Sequence, residues 1–341
     1  MRLRRRSFVT VDEQLEAALA TAVSRHPLHG DGKSGSTLER ETLADGTRLV
    51  LKHVDPHRDW IMQATHDTGR VARLWAAGVF DHMPPVIDTA IVGVAPAPGG
   101  CTVVMRDVSA SLLPDGLRVT RSQSRQLLAA VAALHRVFTR PPVDDLCSLA
   151  DLLGFLSPTA TAPHCADHEV PRLVLQGWER FADVVADDVA DAVLHVLGST
   201  GPLADALGDF GAALLHGDLK LANLGVGDGR VVVIDWGPQT SWGPPAVDYA
   251  WYVAVNGAAV RASLDELVDD VRTAAGPAHD EDALRLAFLG ALVQLGWEKA
   301  LGATADDGDV RARERSGLDW WTARAREALD HWQPTRARPQ P

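Results

Sequence analysis

A short stretch of the sequence carries an unusual group of side chains that could do chemistry together. It reads His216-Gly217-Asp218-Leu219-Lys220-Leu221-Ala222-Asn223, and an apolar run over 231–234 leads from it to Asp235. Because the chain has only two asparagines, a His with Asp at +2 and Asn at +7 is expected by chance only about 0.008 times. An Asp, an Asn five residues later and a second Asp after a strand are typical of kinase active sites.

This group fits phosphoryl transfer, which depends on positioning and charge neutralisation more than on covalent chemistry. Asp218 would orient an acceptor hydroxyl and accept its proton. Asn223 and Asp235 offer the oxygen ligands that Mg²⁺ prefers, and Lys220 could reach the transferred phosphate. Any one of these residues alone would be an ordinary loop residue, but their joint spacing favours a catalytic loop.

Lysine is so scarce in this chain that its positions are informative, with four lysines against 29 arginines. Lys52 lies in an apolar run over 49–54 that predicts a strand, where a kinase fold places the lysine that binds the α- and β-phosphates. Lys33 and Ser36 lie in a Gly- and Ser-rich stretch whose backbone could cover the phosphates. We therefore expect Lys52, Lys220 and Ser36 in a nucleotide site.

Composition limits the partners and the compartment. The 341 residues carry a formal net charge of −12 and a pI near 5.5, which argues against a broad nucleic-acid interface. No apolar run is long enough to span a membrane, and acidic residues follow the basic start where a signal peptide would be apolar. Three widely spaced cysteines are typical of reduced thiols, so we expect a cytoplasmic protein. The sequence leaves its oligomeric state open.

The motifs resemble those of the aminoglycoside phosphotransferase and choline kinase family of small-molecule kinases. The segment 216–223 matches the family's catalytic loop, and Ile234-Asp235-Trp236 matches its metal motif. The segment 243–251, which contains Asp248, resembles a further family motif. The matches of 132–135, which ends in Leu-His, and of the hinge-like segment 101–108 are weak when taken alone.

The resemblance implies an α+β, two-lobed protein-kinase-like fold with a small antiparallel-sheet N-lobe and a mainly helical C-lobe. It implies ATP or GTP as donor, Mg²⁺, and a hydroxyl of a small molecule as acceptor, such as an aminoglycoside, amino-sugar, sugar or amino-alcohol. Backbone groups near Arg106 and Val108 would bind the base. His216 and Asp248 would hold the loop in place without reacting.

The chain departs from the family at one point. The family pairs its strand lysine with a helix glutamate, but no glutamate lies between Glu41 and Glu169. Asp67, on a predicted helix 15 residues after Lys52, is the expected substitute, and Asp59 is the second choice. Aspartate is one methylene shorter, so the helix must lie closer to the sheet or the ion pair is absent.

The surrounding pattern predicts the elements that position these residues. It predicts a helix over 11–23, then strands over 37–42 and 47–53 that Ala44-Asp45-Gly46 joins in a hairpin. A helix over 60–75 and strands over 86–94 and 101–108 follow. After an irregular stretch over 140–170, helices are expected over 174–185, 188–197, 263–274, 281–301 and 310–332. We expect an N-lobe over 1–105, a C-lobe over 106–332 and a disordered tail over 333–341.

Two further groups have less specific signals. Trp297 and Glu298 could line an acceptor pocket, where negative charge would suit a cationic amine, although charged helix faces are usually only solvated. The cluster 164–168 has zinc-ligand chemistry, but nothing elsewhere completes a four-ligand site.

Two other functions stay open at this point. A nucleotide-binding pseudokinase that regulates a partner would explain the missing glutamate. A Ser/Thr protein kinase is disfavoured, because the segment between Asp235 and Asp248 is short and lacks Ala-Pro-Glu.

Overall fold

A five-stranded antiparallel sheet forms the N-terminal part of the computed structural model, which describes residues 19–28, 34–114, 116 and 118–332. The strand order is β1-β2-β3-β6-β5, with β1 (Ala22–Leu28), β2 (Thr37–Leu43), β3 (Arg48–Val54), β5 (Ile91–Ala97) and β6 (Gly100–Arg106). The predicted hairpin is confirmed: Asp45 and Gly46 close β2 on β3, and the Thr47 amide donates to the Asp45 carboxylate (2.8 Å).

Strand alternation aims Lys52 at the interior of the molecule. Leu49 and Leu51 pack on one face of β3, whereas Val50, Lys52 and Val54 lie on the other. That second face packs against the helices that follow β3 and against Ile234, the residue before Asp235. The sheet therefore presents Lys52 towards the metal motif.

The helix predicted over 60–75 is wrong as a single element. It is divided into α1 (Trp60–Ala64) and α2 (Arg70–Ala76) by a turn in which His66 has a φ of 53°. Asp59 caps α1 through the amides of Ile61 and Met62, and Asp67 caps α2. Aspartate, threonine and glycine between 65 and 69 favour such local hydrogen bonds over a continuous helix.

The predicted helix over 11–23 is also wrong at its end, because Ala22 and Val23 belong to β1. The rest of that prediction over 11–18, Lys33 and the tail over 333–341 lie outside the described residues.

The C-terminal part is mainly helical and has one continuous apolar core. Its long helix α11 (Glu281–Ala303) is buried over much of its length and packs against several of the others. The other helices are α3 (Arg121–Leu134), α4 (Leu149–Gly154), α5 (Pro158–Thr161), α6 (Glu169–Val184), α7 (Asp187–Gly198), α8 (Gly201–Gly208), α9 (Pro245–Asn256), α10 (Leu264–Ala275) and α12 (Gly308–His331). The stretch 140–170, expected to be irregular, therefore contains two short helices.

Short strands surround the predicted catalytic loop. β8 (Ala213–Leu215) pairs with β11 (Ser241–Gly243), and β9 (Leu224–Gly227) forms a hairpin with β10 (Arg230–Val233). β4 (Ile87–Asp88) joins β10 in parallel, and β7 (Val119–Thr120) joins β12 (Val260–Arg261). The loop thus runs from β8 to β9, and Asp235 follows the end of β10.

No helix among the described residues is long and apolar enough to cross a membrane. All three cysteines are free thiols.

Candidate active site

The buried carboxylate of Asp248 holds the start of the catalytic loop. It accepts hydrogen bonds from the amides of His216 and Gly217 (2.9 Å each) and from Nε2 of His135 (3.0 Å). Burial by itself raises the pKa of Asp248, but the bonds from His135 and Gly217 outweigh it and hold the pKa below its usual value. An ionised Asp248 on α9 therefore fixes the loop backbone from beneath.

His216 uses both ring nitrogens to shape the loop. Its Nε2 donates to the carbonyl of Ile234 (3.0 Å), so Nδ1 is the acceptor for the amide of Asp218 (3.2 Å). The ring also lies edge-on to Trp236, with centroids 4.6 Å apart. His216 thus joins the catalytic loop to the metal motif and has no nitrogen left for proton transfer.

Asp218 lies at the centre of the loop and is only 4% exposed. Its Oδ2 accepts from Nζ of Lys220 (2.7 Å) and from Nδ2 of Asn223 (2.9 Å). Nδ2 of Asn223 also donates to the backbone carbonyl of Asp218 (3.0 Å). The Asn223 side chain therefore binds both the backbone and the carboxylate of Asp218. The arrangement fixes the carboxylate in one rotamer, as a group that must meet an acceptor hydroxyl requires.

Asn223 and Asp235 provide oxygen donors that fit a magnesium ion. Because Nδ2 of Asn223 faces Asp218, its Oδ1 is the atom left for a cation, and the Asn223 carbonyl accepts from the Ile234 amide next to Asp235 (3.0 Å). Among the described residues, no group of three or more His, Cys, Asp or Glu could hold a metal ion. Two protein oxygens are what Mg²⁺ uses when phosphate oxygens and water complete its shell.

Lys52 forms an ion pair with Asp235 across the two parts of the molecule. Burial lowers the pKa of Lys52, but the Asp235 and Asp59 carboxylates reverse this and raise it. Burial likewise raises the pKa of Asp235, and Lys52 and Lys220 outweigh it, so the net pKa lies well below the usual range. Both groups are charged, and of the residues that the structure describes, Lys52 and Lys220 bring positive charge to the site.

The structure does not bring Asp67 to Lys52. One oxygen of Asp67 caps α2 through the amides of Gly69 (2.7 Å) and Arg70 and lies 3.6 Å from the Arg73 guanidinium. This engagement follows from the break between α1 and α2, which makes Asp67 a helix cap rather than a residue on a helix face. The acids whose charge acts on Lys52 are Asp235 and Asp59, the second choice from the sequence.

Ser36 is held by Asp59. Its hydroxyl donates to the Asp59 carboxylate (2.8 Å), as does that of Ser34 (2.6 Å). The described end of the Gly- and Ser-rich loop is therefore anchored to the start of α1, close to Lys52.

In the hinge-like segment, some backbone groups are already used inside the protein. The Arg106 amide donates to the Ala90 carbonyl (2.9 Å), and the Val108 carbonyl accepts from the amides of Ser111 (2.8 Å) and Leu112 (3.2 Å). The Arg106 side chain pairs with Asp88. These particular groups cannot also bind a base.

Trp297 and Glu298 lie in α11, where it crosses α6 closely enough that a Cβ on Gly177 would be 2.2 Å from the Trp297 carbonyl. Trp297 is half-buried and Glu298 is exposed, and among the described residues neither is hydrogen-bonded to the catalytic loop. The structure therefore brings together Lys52, Asp218, Lys220, Asn223 and Asp235, but not this pair.

Asn256 is a site residue that the sequence reasoning missed. Its side chain accepts from the Leu221 amide (2.9 Å) and donates to the Leu219 carbonyl (2.8 Å), on both sides of Lys220. It is 2% exposed at the end of α9. The rarity of asparagine is the sequence signal that could have indicated this residue. Asn223 and Asn256 are the two asparagines of the chain, and both hold this loop.

Comparison with known proteins agrees with this architecture. Residues 24–289 match the phosphotransferase enzyme family, so the chain belongs to that family. Its fold is similar to spectinomycin phosphotransferase in complex with ADP and spectinomycin (12% identity, TM-score 0.51, 94% of each chain covered). It also matches a type I macrolide 2'-phosphotransferase with 19% identity and a TM-score of 0.44, over 92% of this chain and 98% of that one. A third match is a macrolide 2'-phosphotransferase from Brachybacterium faecium, with 16% identity and a TM-score of 0.45 over 91% of this chain and 97% of that one. No curated protein matches the chain significantly.

The family match and this similarity confirm the predicted α+β fold, with a small antiparallel sheet followed by a helical part, and the predicted family resemblance.

Proposed function

We propose that this protein is a small-molecule kinase that transfers the terminal phosphate of ATP or GTP to a hydroxyl of a small acceptor. The observation that carries the proposal is the convergence of an oriented Asp218 with the Lys52–Asp235 pair. Lys220 links the two, since it binds Asp218 and its charge also acts on Asp235.

In this mechanism Asp218 accepts a hydrogen bond from the acceptor hydroxyl and takes its proton as the oxygen attacks the phosphorus. The Asp218 carboxylate is held by Asn223 and Lys220, so the attacking oxygen meets it in a fixed direction. The leaving group is the nucleoside diphosphate. Asp248 and His216 contribute by holding the loop and take no proton.

The lysines supply the positive charge that the phosphates require. Lys52 would bind the α- and β-phosphates and Lys220 the transferred group. Asn223 and Asp235 would hold Mg²⁺, which when bound neutralises charge on the phosphates. Ser36 and the neighbouring backbone would cover the phosphates from above.

The base would lie against the hinge. With the Arg106 amide and the Val108 carbonyl engaged, the Arg106 carbonyl and the Val108 amide are the groups we assign to it. The acceptor would lie between Asp218 and the C-terminal helices, where Trp297 and Glu298 remain candidates for its pocket. We propose a cationic or neutral polyol or amino-alcohol, in keeping with the net charge of −12.

A phosphate-transfer screen tests the proposal. The purified protein is incubated with Mg²⁺ and ATP or GTP and a panel of hydroxylated compounds: aminoglycosides, spectinomycin, macrolides, sugars and amino-alcohols. Nucleoside diphosphate release and the mass of each product are measured. We expect a product heavier by one phosphate for at least one class.

The alternative of a pseudokinase gives the opposite result in the same screen. It would bind nucleotide but neither hydrolyse it nor transfer phosphate to any acceptor, and that outcome would refute the proposed enzyme. The presence of Lys52, Asp218, Asn223 and Asp235 together argues for the enzyme.

A further inference from the structure

Arg70 is a buried arginine whose guanidinium is satisfied by backbone carbonyls from three separate segments. Nε donates to Asp145 (2.7 Å), Nη2 to Thr65 (3.3 Å), and Nη1 to Gly237 (3.4 Å) and to Pro238. The residue is 3% exposed. A buried guanidinium is costly unless it is paired and hydrogen-bonded. Here four of its five N–H donors have backbone carbonyl acceptors, and the buried Asp67 carboxylate lies 3.9 Å from Nη1.

The carbonyls of Gly237 and Pro238 belong to a turn directly after the metal motif. Gly237 donates its amide to Oγ1 of Thr240 (3.1 Å), and the Thr240 amide donates back to the Gly237 carbonyl (3.0 Å). The Cys147 backbone amide donates to the Thr240 carbonyl (2.9 Å). This bond fixes the turn to the segment that contains Asp145.

The turn continues directly from the backbone that carries the Asp235 carboxylate. Asp235 has a φ of 69° and Gly237 a φ of 146°, both in the left-handed region. A non-glycine residue persists there only when its surroundings hold it. Holding residues 237 and 238 in place therefore holds Asp235 in place.

Arg70 also binds α2 to the C-terminal part of the molecule. On the side of α2 that faces the sheet there is a cavity of about 180 Å³, lined by residues such as Ala72, Trp75, Val94 and Cys101. Beside this cavity Val71 is buried against the sheet. The contacts of Arg70 with residues 145, 237 and 238 join the same helix to the C-terminal part.

We propose that Arg70 is a positioning residue that couples α2 to the magnesium-binding carboxylate of Asp235. In this chain Asp67 does not pair with Lys52. Among the described residues, the side-chain hydrogen bonds from α2 to the turn after the metal motif come from Arg70. The inference rests on the proposed function, because it assigns Asp235 to the cation.

The test compares Arg70→Lys with Arg73→Lys, a matched change one turn further along α2. Arg73 pairs with Asp67 and Asp145, and within the described part of the chain it has no hydrogen bond or ion pair with the turn. Calorimetry measures ADP affinity over a series of Mg²⁺ concentrations and again without metal. For Arg70→Lys we expect the half-saturating Mg²⁺ concentration to rise about 10-fold or more, the effect typical of losing a group that orients a metal ligand. Metal-free ADP affinity and the Arg73→Lys variant should stay near wild type.

A purely structural role would lower the melting temperature of Arg70→Lys without moving its Mg²⁺ requirement, and that result would overturn the proposal. If Arg70→Lys does not fold, Thr240→Val loosens the same turn without touching α2. An unchanged Mg²⁺ requirement in Thr240→Val would equally overturn it. Because the readout is ADP binding, it is separate from the screen in which the proposed transfer activity could fail.

Discussion

At the scale of single residues, Asp218 and Asp235 are each paired with a lysine. Lys220 binds Asp218 at 2.7 Å, and Lys52 binds Asp235. A nucleotide polyphosphate attracts the same two ammonium groups. When it binds, it would take Lys52 from Asp235 and leave that carboxylate to a cation, so we expect nucleotide and Mg²⁺ to bind together.

Lys52→Met should weaken nucleotide binding by about 10- to 100-fold, since a charge-assisted hydrogen bond contributes about 1.5–3 kcal/mol. Titration calorimetry with ADP and Mg²⁺ measures this. Lys299→Met is the control, because Lys299 donates to the Ala254 carbonyl (2.6 Å) and lies outside the nucleotide site. Wild-type affinity in Lys52→Met would contradict the assignment.

Asn256→Ala removes both hydrogen bonds that flank Lys220. Leaving the half-buried Leu221 amide and the buried Leu219 carbonyl unpaired should cost about 2–4 kcal/mol of unfolding free energy. A loosened loop should lower kcat by about 10- to 100-fold while nucleotide affinity changes little. Urea denaturation and steady-state kinetics measure the two effects.

Gln294→Ala is the control for Asn256, because Gln294 is an equally buried amide that donates to Leu152 (2.6 Å), away from the loop. It should lower stability without the selective fall in kcat. An equal fall in both variants would mean that Asn256 acts only through stability.

At the scale of elements, the catalytic loop depends on a close backbone approach and on α9 beneath it. Gly217 has a φ of 83°, and a Cβ there would lie 2.1 Å from the Gln239 carbonyl. Only glycine fits, which explains the middle residue of His-Gly-Asp in physical terms. Asp248 then binds the two successive backbone amides of His216 and Gly217.

Asp248→Asn should lower the free energy of unfolding and should also make that free energy less dependent on pH. The folded pKa of Asp248 is depressed, so its contribution is full above the ordinary carboxyl pKa near 3.8 and is lost as the pH falls through the lower folded value. The amide cannot accept all three bonds, so we expect a loss of about 2–4 kcal/mol at pH 7. Unfolding free energies between pH 7 and pH 3 measure this.

In the wild type, stability should fall as the pH drops below about 4, and in Asp248→Asn this fall should be shallower. Identical slopes in the two proteins would show that Asp248 is not ionised in the folded state.

Local patterns made much of this site predictable. The Asp-Gly hairpin, the strand carrying Lys52 and the spacing of Asp218, Asn223 and Asp235 are properties of short stretches. The expected single helix over 60–75 includes a polar stretch over 65–70, and there Asp67 accepts from the amides of Gly69 and Arg70, so that a second helix begins. The roles of Asn256 and Arg70 depend on contacts between segments far apart in the sequence, which one sequence does not reveal.

At the scale of the whole molecule, the site lies where the sheet and the helical part meet. Lys52 comes from the sheet, Asp235 from the end of β10, and β4 pairs with β10 across the boundary. The domain division at residue 105 stays a prediction, as does the cytoplasmic location. Closure of the two parts around a nucleotide would bring the hinge, the lysines and Asp218 onto one ligand.

The most direct test of the whole account is the turnover of Asp218→Asn with the acceptor found in the screen. Asparagine keeps the shape of the side chain but cannot take a proton, so kcat should fall by about 10²- to 10⁴-fold. Nucleotide affinity and melting temperature should remain close to wild type. Turnover at the wild-type rate in a folded Asp218→Asn protein would contradict the central claim that Asp218 activates the acceptor hydroxyl.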